Sequence, residues 1–513
     1  MTMTASAHSS SRSRQGAARV VVVGGGNAAL VAALSARESG AEVLVLEAAP
    51  QDLRGGNSRF TGGIFRVAHG GLEDLRELVA AHSSKWFDRV DVPAYPQTVF
   101  AEDMTTTTAG RAAPDLQHVL IDESLDTVRW MHGKGVQWEL AVGKLIDPNL
   151  IDDDTRYRLP GGGALRAHEE GVGLIEDLYA AVAREGIEVR YSSPVVDLVM
   201  EGNTCKGVVV RGGDRDEVID GVVILASGGF ESNPQMRQRW LGPGWDLVKV
   251  RGTRFNMGVP LEAAMRQGAQ PFGHWGGCHA VPLDHHAPDW GDLRYTDKFS
   301  RYSYPYSIMV NVRGERFVDE GEDEVWLTYA KTGDRVRTQP GARAAQIFDS
   351  KTVHLLEPRY STGRPVTADT IGQLAVELGV TADTLVRTVE DFNRACADGE
   401  FDPFTKDSLR AAPQGQPVKS NWAQPIDTPP FTAYEITCGI TFTFGGLRTT
   451  PTAEVVDTAQ RTVTGLYATG EITGGFFYLN YPAGAGLTRG AVFGRIAGRE
   501  AAALAATRVG NVQ

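Results

Sequence analysis

The chain is 513 residues long, with 42% hydrophobic and 22% charged residues, an ordinary globular composition with length enough for two or three domains. Its net charge of −12 excludes a polyanion-binding surface, so no nucleic-acid partner is expected. Cys205, Cys278, Cys396 and Cys438 stand far apart with no paired spacing, which excludes an iron–sulfur cluster or a disulfide framework in this chain and predicts reduced thiols and no metal site.

Met1 to Ala18 is rich in Ser, Thr, Ala and Arg without an apolar segment, so it is expected to be a disordered tail and not a secretory signal. No apolar run approaches the roughly twenty residues of a membrane span, and the cytoplasm is the expected compartment. Val20 to Val23 then reads as a strand buried on both faces, as an inner strand of a parallel sheet must be. Gly24 permits the tight turn after it, Gly26 lets the backbone approach a pyrophosphate, and Ala29 lets the next helix pack closely on the sheet. That helix is predicted from about Asn27 to Ser39, so Asn27 and Ala28 open it at the phosphate. A second strand, Glu42 to Leu46, ends in Glu47, an acid placed to accept hydrogen bonds from a ribose diol. Strand, turn, helix, strand and acid fall in register, and the cofactor is expected to contain ADP-ribose.

Arg54-Gly55-Gly56-Asn57-Ser58, followed by Thr61-Gly62-Gly63, is a backbone-exposing loop just past that acid. With it the chain resembles the fumarate reductase and succinate dehydrogenase class of FAD flavoproteins. The resemblance implies non-covalent FAD, with Gly56, Asn57, Ser58, Gly62 and Gly63 along the ribityl and isoalloxazine end.

A helix is predicted over Leu72 to Phe87 and a loop at Thr105 to Thr108 with Gly110. A long helix follows from Pro114 to Gly133 or Gly135, its apolar Leu116, Val119, Leu120, Leu125, Val128 and Met131 recurring at helical spacing. Next come an amphipathic helix at Leu174 to Arg184, a strand at Val189 to Tyr191, and Pro194-Val195-Val196, with Val196 expected at the cofactor. A hairpin-like pair, Asp197 to Met200 and Gly207 to Val210, precedes a second buried strand from Val222 that ends in Ser227-Gly228-Gly229. In the family this strand lies beside the first and its glycines pass the cofactor.

From Gly242 to Pro430 the βαβ rhythm disappears and Trp, His, Pro and Tyr become frequent, which reads as an inserted cap. Val310 to Glu320 is predicted to form a hairpin, and Thr381 to cap a helix reaching Ala397. Gly439 to Gly446 leads back to a strand ending in Gly470-Glu471. Asn480-Tyr481-Pro482-Ala483-Gly484-Ala485-Gly486-Leu487 then opens a small-residue helix from Thr488 to Ala505, whose bared amides can stabilise negative charge on the reduced flavin. The family implies contacts from Gly470, Glu471, Gly486 and Leu487. The expected fold is α/β: a Rossmann-like FAD-binding domain over residues 19–241 and 431–513, with an inserted α+β substrate-capping domain over 242–430, behind a tail of residues 1–18.

Fumarate reductases carry a carboxylate-binding histidine in His-Thr-Met-Gly-Gly and an arginine in Asn-Arg-Leu-Gly-Gly-Asn; here those positions are Phe442 and Tyr481. Their proton-donating arginine, eight residues past Arg316, falls on Glu324. The replacements resemble the FAD-dependent tricarballylate dehydrogenase branch, in Thr443 to Gly446, Arg316 to Asp323, Asn480 to Leu487 and Arg251 to Gly258. That resemblance implies oxidation of a saturated polycarboxylate, tricarballylate to cis-aconitate, with electrons passing to a membrane-associated iron–sulfur protein. Arg254, Arg301 and His279, together with Arg251 and His274, are the candidate carboxylate anchors, and Tyr481 or a histidine the base. The alternatives are a fumarate reductase-like enzyme, a 3-ketosteroid dehydrogenase-like enzyme with an apolar cleft, and a non-catalytic flavin carrier.

Overall fold

In the computed structural model of the protein, residues 19–142, 157–213 and 215–510 are described. The expected tail, 1–18, lies outside them.

The α/β expectation holds. Among the described residues a nine-stranded sheet carries, in order, Glu217–Asp220, Thr204–Val210, Thr462–Ala468, Val222–Leu225, Arg19–Val23, Glu42–Leu46 and Glu188–Arg190, with two more strands paired at one side. The valine run sits mid-sheet, with Val21 parallel and in register with Val223 on one side and Leu44 on the other. Its side chains alternate between two cores, Val20 and Val22 facing one and Val21 and Val23 the other, which is why four apolar residues in a row are needed.

Helix Asn27–Glu38 packs against the long helix Ala485–Gly510. Gly490, Gly494 and Gly498 recur every four residues and so share one stripe. A Cβ at Gly494 would lie 2.7 Å from Ala28 O, and one at Gly498 2.4 Å from Ala32 O, so the backbones can approach only because those side chains are missing.

A second sheet, of six strands among the described residues, is built around Phe431–Leu447. Pro271–Asp284, Ala344–Phe348 and Val366–Ala368 pair with it antiparallel and Lys249–Val250 parallel. Gly439 to Gly446 is therefore interior strand. Leu447 bridges to Thr473, bringing this sheet's end onto the nucleotide layer.

Several local expectations change. Thr105 to Thr108 is the last turn of helix Gln97–Thr108, where a loop is expected. The threonine hydroxyls bond back to helix carbonyls, Thr107 Oγ1 to Asp103 O at 2.7 Å and Thr108 Oγ1 to Met104 O at 2.7 Å, while Phe100 and Met104 bury one face. The long helix from Pro114 breaks at Glu123 into Pro114–Asp122 and Ser124–Gly133. Thr381 makes no side-chain cap bond; it is Thr370 that caps its own helix, accepting from Gln373 N at 3.2 Å. The hairpin at Val310 to Glu320 is reduced to strand Ile308–Asn311, a turn and a single bridge from Val310 to Arg316. No helix among the described residues is long and apolar enough to cross a membrane.

Candidate active site

A cavity of about 510 Å³ runs from the Gly24–Ala28 turn to a cluster of tyrosines. At its nucleotide end Gly24 has φ +117°, and a Cβ there would stand 2.3 Å from Ala226 O, so both the turn and the neighbouring strand require glycine. Asn27 N donates to Ser58 Oγ at 3.1 Å and Asn27 Nδ2 to Leu487 O at 2.9 Å, tying the first helix to the loop and to the C-terminal helix. Asn27 Oδ1 is buried without a partner, an acceptor left for a ligand. Glu47 is 5% exposed and accepts from Ala49 N at 2.7 Å. Burial pushes its carboxyl up to about 6, so it is still mainly ionised at neutral pH. These residues fit the ADP-ribose portion of FAD.

The predicted cofactor positions line this cavity with one exception. Gly229 lies behind the wall, where a Cβ would be 2.2 Å from Glu471 Oε1. Asn57 is on the wall, but its amide is taken up by the protein, donating to Glu231 Oε1 and Thr441 O at 2.6 Å each and accepting from Thr253 N at 2.8 Å. It fixes the loop to the second sheet. Glu471 accepts from Thr443 N at 2.8 Å. Burial raises the pKa of both Glu471 and its neighbour Glu231.

At the far end His279, from strand Pro271–Asp284, meets Tyr329 from helix Val325–Arg337 and Tyr481 from the turn before the C-terminal helix. The His279 ring centroid is 4.8 Å from that of Tyr329 and 4.9 Å from that of Tyr481. Tyr329 and Tyr481 are hydrogen-bonded through their hydroxyls. His279 is 1% exposed and neither of its ring nitrogens has a protein partner. Burial, then Arg251, holds it well below its ordinary pKa, so it is neutral. Burial pushes Tyr481 up to about 12, while the hydrogen bond from Tyr329 and the charge of Arg251 pull the other way; Tyr329 is raised further. Arg251 donates from Nε to Thr441 Oγ1 at 2.9 Å and pairs with Asp297. Phe442 and Tyr481, the positions of the fumarate reductase histidine and arginine, pack edge to face with centroids 4.9 Å apart.

Three expected anchors are elsewhere. Arg254 is exposed and off the cavity wall, its guanidinium resting 5.3 Å from the Phe255 ring. Arg301 is wholly buried but turned away, bonded to Asp284 Oδ2 at 2.8 Å and to carbonyls of Lys298, Ser300 and Arg359. The strong local pairing of Arg301 makes it structural. His274 accepts from Leu479 N at 3.0 Å and also lies off the wall. Glu324 does not line the cavity. Tyr329, Tyr302 and Asp297 were not singled out by sequence, since no spacing marks them. Arg489 was also missed, although a lone charge among small residues at a helix start is a readable signal. It is 2% exposed and lines the cavity.

The family model described as "FAD binding domain" matches residues 19–487, across both sheets and every wall of the cavity except its last turn. The chain belongs to the FAD binding domain family. FAD is therefore its cofactor, and the chain is an FAD-dependent oxidoreductase of the fumarate reductase and succinate dehydrogenase flavoprotein type. It is 27% identical over 490 residues to the fumarate reductase (cytochrome) of Shewanella frigidimarina, covering 94% of this chain and 76% of that one. It is also 27% identical over 564 residues to 4-oxocyclohexanecarboxylate 2-dehydrogenase of Sinomonas cyclohexanicum, covering 95% and 93%. The open conformation of a flavocytochrome c3 fumarate reductase superposes with a TM-score of 0.68 at 26% identity, over 95% of this chain and 78% of that one. None of these similarities singles out the tricarballylate branch.

Proposed function

We propose that this FAD binding domain enzyme dehydrogenates a CH–CH bond adjacent to a carbonyl, in a substrate with at most one carboxylate, under a cap formed by residues 242–430. The observation that carries this reading is the cluster of His279, Tyr329 and Tyr481 at the cavity end, where neutral hydrogen-bonding groups replace fixed cations. Among the described wall residues the cations are Arg251 and Arg489, set against the carboxyls of Asp297 and Glu357, and Arg251 shares Asp297 with Arg359. A tricarballylate-like substrate would bring three carboxylates to this wall; the motif resemblance favours it, but the charge balance does not. The Sinomonas relative, named for a keto acid with one carboxylate, is consistent with a single anionic group held at Arg251.

Bound FAD would supply the hydride acceptor. His279, kept neutral, can donate one N–H to the carbonyl oxygen and so stabilise enolate character as the α-proton leaves. Tyr481 is the base: with Tyr329 as the donor in their shared hydrogen bond, that bond and the nearby Arg251 both favour the phenolate against burial. With Glu324 off the wall, Tyr481 is left as the group that exchanges the substrate proton. Electrons would leave to a separate acceptor, an iron–sulfur protein being the class implied by resemblance. The four cysteines are free, in keeping with a reducing cytoplasm.

The test is anaerobic bleaching of the flavin by a panel of cyclic ketones, keto acids, dicarboxylates and tricarboxylates. Bleaching by a ketone or keto acid is expected. Bleaching by tricarballylate alone would reinstate the polycarboxylate reading.

A further inference from the structure

Arg489 lies in the first turns of helix Ala485–Gly510, whose N-terminal end reaches the cavity at Gly484, Gly486 and Leu487. Its guanidinium rests against aromatic rings, 4.9 Å from the Phe477 centroid and 5.3 Å from that of Phe476. Nη1 makes one long hydrogen bond, to Thr473 O at 3.4 Å, and Nε is buried without a partner. Among the described residues no carboxylate comes within ion-pairing distance; the acid that faces it is Glu471. Burial pushes the group down to about 10, so it remains charged at neutral pH.

A buried cation with neither ion pair nor full hydrogen bonding is costly, and such a group persists where a ligand completes it. Glu471 does not cancel it outright. Glu231 is wholly buried beside Glu471, which lines the cavity, and Glu231 Oε2 has no partner unless one proton lies between the two carboxyls. Sharing that proton leaves the pair one negative charge, and Asn57 and Asn256 each donate to Glu231 Oε1 at 2.6 Å to hold it.

We propose that Arg489, together with the helix N-terminus it stands on, is the fixed counter-charge to the reduced flavin and thereby sets its reduction potential. Transfer of a hydride from the substrate carbon adds two electrons and one proton, hence one unit of negative charge, to the bound ring. The second substrate proton leaves to a protein base, so the new charge stays in the cavity. A full positive charge and the roughly half charge of a helix end act on it together. A substrate anion is the other conceivable partner, since Phe442, 6.0 Å from the guanidinium, also packs on His279 and Tyr481; Arg489 nonetheless belongs to the helix that Asn27 ties to the nucleotide turn. This role does not depend on which substrate is dehydrogenated.

The experiment measures the two-electron potential of FAD on the full-length holoenzyme and the dissociation constant of sulfite, whose adduct with the flavin ring leaves the same negative charge. Arg489→Met should weaken sulfite binding at least tenfold and shift the flavin equilibrium tenfold toward the oxidised form, about 30 mV for a two-electron couple. Arg489→Lys should keep most of both, and Glu471→Gln should move both the opposite way. If Arg489→Met does not hold FAD, Glu471→Gln decides, and wild-type potential and sulfite affinity in that variant would overturn the proposal. An Arg489→Met holoenzyme with wild-type potential and sulfite affinity would overturn it too, and a raised KM alongside would make Arg489 a substrate anchor instead.

Discussion

Tyr329 and Tyr481, separated by 152 positions in sequence, are joined by a hydrogen bond between their hydroxyls inside the cavity, both against the ring of His279. One phenol must donate to the other, so the pair behaves as an acid–base unit and not as two independent groups. Tyr481→Phe removes the proposed base and should lower kcat by about 10²–10⁴-fold with FAD still bound. Tyr329→Phe should cost less, because it removes only the donor that stabilises the base. Stopped-flow reduction of the flavin separates the two, and equal losses would contradict this division of labour.

The same pair predicts a pH profile. The active form of a base is the deprotonated one, and Tyr481 is pushed up to about 12. kcat/KM should therefore climb through the neutral and mildly alkaline range without a plateau below about pH 10. The slope should vanish in Tyr481→Phe. A profile governed by a group titrating near 6 or 7 would point to another base.

FAD affinity should depend on pH at the other end of the cavity. The ribose hydroxyls of bound FAD would donate to ionised Glu47, whose carboxyl burial pushes up to about 6. Binding is therefore strongest above that value and weakens as the pH falls through it. Glu47→Gln should remove this dependence and weaken binding by about 1.5–3 kcal/mol, measurable by flavin fluorescence on titration of apoprotein.

Arg301 and Arg254 should behave in opposite ways. Arg301→Met leaves Asp284, which is 3% exposed, buried without its partner, and should cost about 3–5 kcal/mol of stability, read by denaturant unfolding. Arg254→Ala, at an exposed position, should change stability by less than about 0.5 kcal/mol and leave KM unaltered. A raised KM in the Arg254 variant would bring that residue back to the substrate.

The nucleotide half was legible because its signals are local. A valine run, a glycine turn and an acid after a second strand are each set by neighbours within a few residues, and their geometry follows from the strand and helix periods. The substrate half was legible only in part: Arg251, His279 and Tyr481 do line the cavity, but an arginine's sequence context does not reveal which way it points. Arg301 is captured by Asp284, 17 residues upstream at the end of strand Pro271–Asp284, and Arg254 turns to solvent, while Arg251 reaches the cavity. Tyr329 enters the site only because helix Val325–Arg337 crosses the cavity end, a tertiary fact with no local trace. The threonine run before Gly110 misled for a related reason: hydroxyls that suit a loop can instead bond back along a helix when its other face is buried.

The place of strand Thr462–Ala468, between Thr204–Val210 and Val222–Leu225, bears on how the molecule is made. Both flanking strands leave the ribosome long before the one that separates them. Until it arrives the nascent sheet has a vacant slot beside the nucleotide turn, and the helix that closes the flavin end follows later still. Chaperones would thus meet a chain with an exposed sheet edge, and cofactor capture would be among the last events of biogenesis.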